Sequence, residues 1–116
     1  MRVCTACGFL DLGEIILEVK SVNRIFEWDY TKAQINKQKH GISFEQALKV
    51  FEDENRLEEI DENHSEDEIR YVTIGRVEDI LYVVYTERAE NTRLITARRA
   101  NKKERRRYLC QSLELR

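Results

Sequence analysis

Proline is absent from this chain of 116 residues, and glycine occurs only four times. With so few chain breakers, no flexible linker, low-complexity tract or internal repeat is visible. No apolar run approaches the roughly 18 residues needed to cross a bilayer. The apolar part of Met1–Lys20 is interrupted by Asp11, Glu14 and Glu18, which spoils it as a signal peptide. Cysteine is scarce as well: three thiols, an odd number, argue against a secreted disulfide scaffold. The expected compartment is therefore the cytoplasm. The length allows one domain with a modest core.

What the chain has in quantity is charge, at 36% of residues, against 41% hydrophobic. The formal net charge of −2 hides an asymmetry. Glu52 to Glu68 holds ten acids and one Arg, a net of −9, whereas Thr86 to Arg107 holds nine Arg or Lys and three Glu, a net of +6. The total speaks against a nucleic-acid partner, but the local field of the C-terminal part speaks for one. The acidic run is expected to be a solvated face.

Local signals give an order of elements. Ile25–Trp28 predicts a short first strand, and Asp29 caps a helix from Tyr30 that Gly41 ends. Ser43 and Gln46 form a capping box for a second helix, with Phe44, Ala47, Leu48 and Phe51 on one face. Tyr71–Arg76, Ile80–Glu87 and Arg93–Arg98 are rich in Val, Ile, Tyr and Thr and predict strands joined as hairpins, with Arg56–Ile60 as a fourth. Asn101 and Glu104 open a basic last helix. The expected fold is α+β: two N-terminal helices, a three- to four-stranded antiparallel meander, and a C-terminal helix packed on the sheet.

Several blocks recur in order: Phe26-Glu27-Trp28-Asp29, Lys39-His40-Gly41-Ile42-Ser43-Phe44-Glu45-Gln46-Ala47, and His64-Ser65 with Glu68 and Arg70-Tyr71. Ile74-Gly75-Arg76, Tyr85-Thr86-Glu87-Arg88, Ala97-Arg98-Arg99-Ala100 and Lys103-Glu104-Arg105 with Tyr108 follow. Together they resemble the BrnT toxin family over roughly residues 25–109. The resemblance implies a RelE-like ribonuclease that arrests translation, without a cofactor. It also implies a BrnA-like antitoxin, a ribbon-helix-helix DNA-binding protein, in a complex of two toxins with an antitoxin dimer. Residues 25–116 would form the toxin domain. Residues 1–24 precede the pattern and are expected to be an extension, with Val22 as an alternative start; if translated, a helix from it would cover a sheet edge.

Cutting RNA without a metal requires a base for the 2′-hydroxyl, neutralisation of phosphate charge and a proton for the leaving oxygen. Glu87 is the candidate base or, equally, an organiser of arginines. Arg88 follows it, although strand alternation sends the two to opposite faces. Arg76, Arg98 and Arg99 lie at strand ends and are expected to converge on the phosphate, which guanidinium groups grip bidentately. His40 is a candidate acid, and His64 a weaker one among its acidic neighbours. Lys102, Lys103, Arg105 and Arg106 would hold RNA backbone. Cys4-x-x-Cys7 is half of a zinc motif with no second half, so no metal is expected. The rival reading is a non-catalytic module that binds nucleic acid or a partner through its basic helix.

Overall fold

Each of the three helices starts where a side chain can take over unpaired amides of the first turn. In the computed structural model, which describes residues 2–3, 15–21, 24–62 and 68–114, Asp29 accepts from the amides of Thr31 and Lys32 and opens α1 (Tyr30–His40). Gly41 closes α1 at φ 73°, a left-handed conformation that glycine adopts without penalty. Ser43 and Gln46 complete their capping box at the start of α2 (Phe44–Leu48), which runs into a 3₁₀ turn, Lys49–Glu52. Asn101 and Glu104 bond reciprocally at the start of α3 (Lys102–Glu114).

The strands are β1 (Arg2–Val3), β2 (Ile15–Ser21), β3 (Arg24–Asp29), β4 (Leu57–Ile60), β5 (Arg70–Arg76), β6 (Ile80–Arg88) and β7 (Asn91–Arg99). They form one sheet in the order β1-β2-β3-β7-β6-β5-β4, with the two-residue β1 at one edge. All neighbours are antiparallel except β3 and β7, which run parallel with Phe26 opposite Thr92 and Glu27 opposite Arg93. The expectation of two N-terminal helices followed by a three- to four-stranded antiparallel meander is thereby corrected. Strands precede the helices, the sheet is larger, and it is mixed. The physical cause is the alternation of β3, whose Phe26 and Trp28 are almost completely buried and extend the apolar face that β7 would otherwise leave open. The segment before Arg24, expected as a helix, contributes β2, which pairs with β3 from Ile16–Asp29 to Ser21–Arg24.

Alternation divides the core into two layers. Phe26, Trp28, Phe44, Phe51, Val83, Tyr85 and Leu94 pack between the sheet and α1, α2 and the 3₁₀ turn. Val72, Ile74, Ile80, Val84 and Tyr108 pack on the opposite face, beneath α3. Each large apolar side chain removed from water in this way contributes on the order of 1.5–3 kcal/mol. Asn36 pins α1 to the sheet: its amide donates to the carbonyls of Ile42 and Ala97 and its oxygen accepts from Ala97 N and Thr96 Oγ1. At Gly75 a Cβ would stand 2.8 Å from Val50 Cγ1 and 3.1 Å from Arg56 Cβ, so only glycine lets the chain between α2 and β4 lie this close to β5. Among the described residues no helix is long and apolar enough to cross a membrane.

Candidate active site

On the α1–α2 face, beyond the end of the 3₁₀ turn, the sheet carries a polar cavity of about 350 Å³ lined by Arg24, Glu58, Glu59, Ile60, Tyr71, Tyr85 and Glu87. Glu87 stands at the end of β6, opposite Thr92 of β7. Thr92 Oγ1 donates to Glu87 Oε1 at 2.9 Å, and Arg24 Nη1 donates to Glu87 Oε2 at 3.2 Å and to Thr92 Oγ1 at 2.9 Å. The parallel pairing of β3 with β7 creates this cluster, because it sets Phe26 against Thr92 and so brings Arg24 within reach of Glu87.

A second carboxylate sits across the cavity. Glu58 accepts from the Tyr85 hydroxyl and from Arg56 Nη1 at 3.2 Å, and Arg56 also donates to Thr73 Oγ1 at 2.9 Å. Burial pushes the Glu58 carboxyl up, but the hydrogen bonds from Tyr85 and Arg56 outweigh it and hold the group below the usual carboxylate range. Burial and the same bond to Glu58 raise the Tyr85 phenol well above its ordinary value, so it stays protonated. Both guanidiniums flank one ring: Arg24 lies 5.1 Å and Arg56 4.9 Å from the centroid of Phe51, which holds their planes without consuming their charge. Three carboxylates (Glu58, Glu59 and Glu87), one guanidinium (Arg24) and two phenols therefore line one void, with Arg56 bonded to Glu58.

Arg88 projects to the opposite face, as strand alternation requires, and binds Glu68 through two nitrogens at 2.7 and 3.2 Å. Arg76, Arg98 and Arg99 do not meet Glu87. Arg76 is paired with Ile80, and Glu87 lies seven residues further along β6, about 23 Å at ordinary strand rise. Consecutive antiparallel strands run in opposite directions, so β5 and β7 end on one side of the sheet, along the strand direction, and β6 ends on the other. On the side where β5 and β7 end, Arg98 makes a bidentate bond with Glu104 at 2.9 Å and sits 3.8 Å over the Tyr82 ring. Arg99 and Arg105 share Asp79 at 3.2 and 2.8 Å. Arg76 lines a separate cavity of about 630 Å³ with Lys49, Asp53 and Tyr108, where Asp53 accepts from Tyr108 at 2.5 Å. Lys102, Lys103 and Arg106 are exposed, with no ion pair among the described residues. His40 sits at the C-terminal end of α1, in a shallow depression with Lys39 and Ile95, apart from the Glu87 cavity. His64, Cys4 and Cys7 lie outside the described residues.

Arg24, Arg56, Glu58, Tyr71, Tyr85 and Thr92 were not singled out by sequence. Glu58 was masked by the acidic run around it; its place two residues after Arg56, on the same side of a short strand, was the available signal. Arg24 carried none, since its partner lies 63 residues away. Among the described residues, no group of three or more His, Cys, Asp or Glu side chains is arranged to hold a metal ion.

A family model described as "Ribonuclease toxin, BrnT, of type II toxin-antitoxin system" matches residues 28–104, two thirds of the chain. No curated protein matches it.

Proposed function

We infer, for a chain that belongs to the BrnT family of type II toxin-antitoxin ribonuclease toxins, that the Glu87 cavity is where RNA is cut and that the cut needs no metal. The observation that supports this most is the meeting of Glu87 with Arg24 beside the Arg56–Glu58–Tyr85 group. In this reading the 2′-oxygen attacks the adjacent phosphorus and Glu87 takes its proton. The P–O5′ bond breaks, leaving a 2′,3′-cyclic phosphate and a 5′-hydroxyl, so no further reactant is consumed. Arg24 and Arg56 neutralise the charge that grows on the phosphate, and neither loses its own proton at any physiological pH. The proton that Glu87 has taken is passed on to the leaving oxygen, while Tyr85, whose hydroxyl donates to Glu58, holds that carboxylate in place. Arg76, Arg98, Arg99, Lys102, Lys103, Arg105 and Arg106, on the other side, serve the flanking backbone of the substrate rather than the reacting phosphate.

The partner implied by the family is an antitoxin. A BrnA-like ribbon-helix-helix protein, with two toxins on an antitoxin dimer, and arrest of translation as the result of RNA cleavage complete the proposal.

The test is induced expression followed by assay of the purified protein on labelled RNA with excess EDTA. Growth arrest, EDTA-resistant cutting with cyclic phosphate ends, and loss of both in Glu87→Gln are expected. Tight binding with RNA left intact would replace the reading by a non-catalytic module. Cutting that survives Glu87→Gln would move the site elsewhere.

A further inference from the structure

Strand β4 ends the sheet opposite β1, and among the described residues no strand pairs with it from outside. Its inner ladder fixes which backbone groups point outward. The Asp61 amide donates at 2.8 Å to the carbonyl of Arg70, the residue directly opposite in register, so these two form a hydrogen-bonded pair. Alternation then makes Glu59–Val72 and Leu57–Ile74 bonded pairs too, and turns the N–H and C=O of Glu58 and Ile60 away from β5. An edge of this kind invites another strand unless proline, a bulge or charge blunts it. β4 has no proline and no bulge, and its charge is of one sign. Glu52 to Glu62 holds seven acids and one Arg, a net of −6. Arg56 and Arg107 answer Glu58 and Glu59, but Glu54 before the strand and Glu62 after it have no ion pair among the described residues. Apolar surface lies beside the acids, with Ile60 52% and Ile69 51% exposed. A second copy of the chain fits this edge badly, because centred antiparallel pairing of β4 with itself sets Glu58 opposite Glu59. Free backbone groups, exposed aliphatic side chains and unanswered acids instead suit an extended basic segment.

We propose that the antitoxin of this type II system joins the sheet at β4 as an eighth strand, through an extended segment in which Lys or Arg alternates with apolar residues. Its main chain bonds the outward groups of Glu58 and Ile60, its apolar side chains cover Ile60, and its cations meet Glu54 and Glu62. Because Glu58, Glu59 and Ile60 also line the Glu87 cavity, the added strand runs along the rim of that cavity. The inference rests on the family's having an antitoxin and not on where RNA is cut.

The probes are a synthetic peptide of about ten alternating Lys and Val residues and the same peptide with every amide N-methylated, which keeps the charge and removes the strand donors. Fluorescence anisotropy with the whole chain should show the methylated peptide binding roughly tenfold more weakly or worse. Amide hydrogen exchange at Glu58 and Ile60 should slow about tenfold or more with the first peptide bound, and likewise in the complex with the co-expressed antitoxin. Ile60→Pro removes an outward N–H and no ladder bond, so it should weaken peptide and antitoxin binding roughly tenfold with circular dichroism unchanged. Equal binding of the two peptides, or unslowed exchange at Glu58 and Ile60 in the antitoxin complex, would overturn the proposal; both are read on the unmutated chain. Neither result touches the Glu87 chemistry, which is judged by cleavage in Glu87→Gln.

Discussion

The two sides of the sheet, along the strand direction, hold similar side chains in opposite conditions. On the side where β5 and β7 end, the cations are largely answered: Arg98 by Glu104, and Arg99 and Arg105 by Asp79. Acid and base there join α3 to the sheet. Where β6 ends, Arg24 and Arg56 also have carboxylate partners, but there Arg24 and both partner carboxylates line a void, and both guanidiniums lie against the Phe51 ring. An arginine count would rank the first side as the functional one. The larger cavity, beside Arg76, lies on the first side too; what favours the second is that Glu87, Arg24, Glu58 and Tyr85 line one cavity there.

The comparison breaks most readily at Glu87. Glu87→Gln, at a half-exposed position, should lower the cleavage rate by about 10²–10⁴, while Arg99→Ala on the other side should change it less than about threefold; single-turnover assays on one RNA would measure both. If the Arg99 variant proved the more damaging, the assignment of the two sides would be reversed. Arg98→Ala should instead cost about 1 kcal/mol of stability, since it removes both a partly exposed bidentate pair and a cation–π contact. Urea denaturation would measure that loss, and hydrogen exchange should localise it to α3.

A smaller effect is expected at the turn beyond Glu87. Ala89 adopts φ 52° between β6 and β7, a conformation that strains any residue with a Cβ. Ala89→Gly should therefore stabilise the fold by up to about 1 kcal/mol, read from the same denaturation curves. Lys102, Lys103 and Arg106 changed together to Ser should flatten the salt dependence of RNA binding, by a slope of about 2 on logarithmic axes for single strands if all three reach phosphates. The mildest difference is in acid. Because the Glu58 carboxyl is lowered in the folded chain, its contribution is present above the ordinary carboxylate pKa and is lost as pH falls through the folded value. Thermal melts below about pH 4 should thus decline less steeply in Glu58→Gln than in the unmutated protein.

Features set by a few neighbouring residues could be read without a structure. Asp29, Gly41, Ser43 with Gln46, and Asn101 with Glu104 act within a turn of their own position, and all cap as their chemistry dictates. What escaped depends on distant pairing. Nothing near Ile25 specifies a parallel partner at Asn91, and nothing near Arg24 points to Glu87. The expected convergence of Arg76, Arg98 and Arg99 on Glu87 failed for a reason the sequence did contain. Two tight hairpins reverse direction at each turn, so the end of β6 had to face away from the ends of β5 and β7. The acidic run was likewise more than a solvated face: Glu58 holds Tyr85 and Arg56, and Glu59 holds Arg107 at 2.6 Å.

The pairing of β3 with β7 also governs when the Arg24–Glu87 cluster can form during synthesis. Its contacts join residues 25–27 to residues 91–93, among the most widely separated in the chain. A fragment released before Asn91 would own Glu58, Tyr85 and Glu87 yet have no strand to draw Arg24 beside them. If RNA is cut in the Glu87 cavity, a fragment ending before Asn91 should therefore show no cleavage.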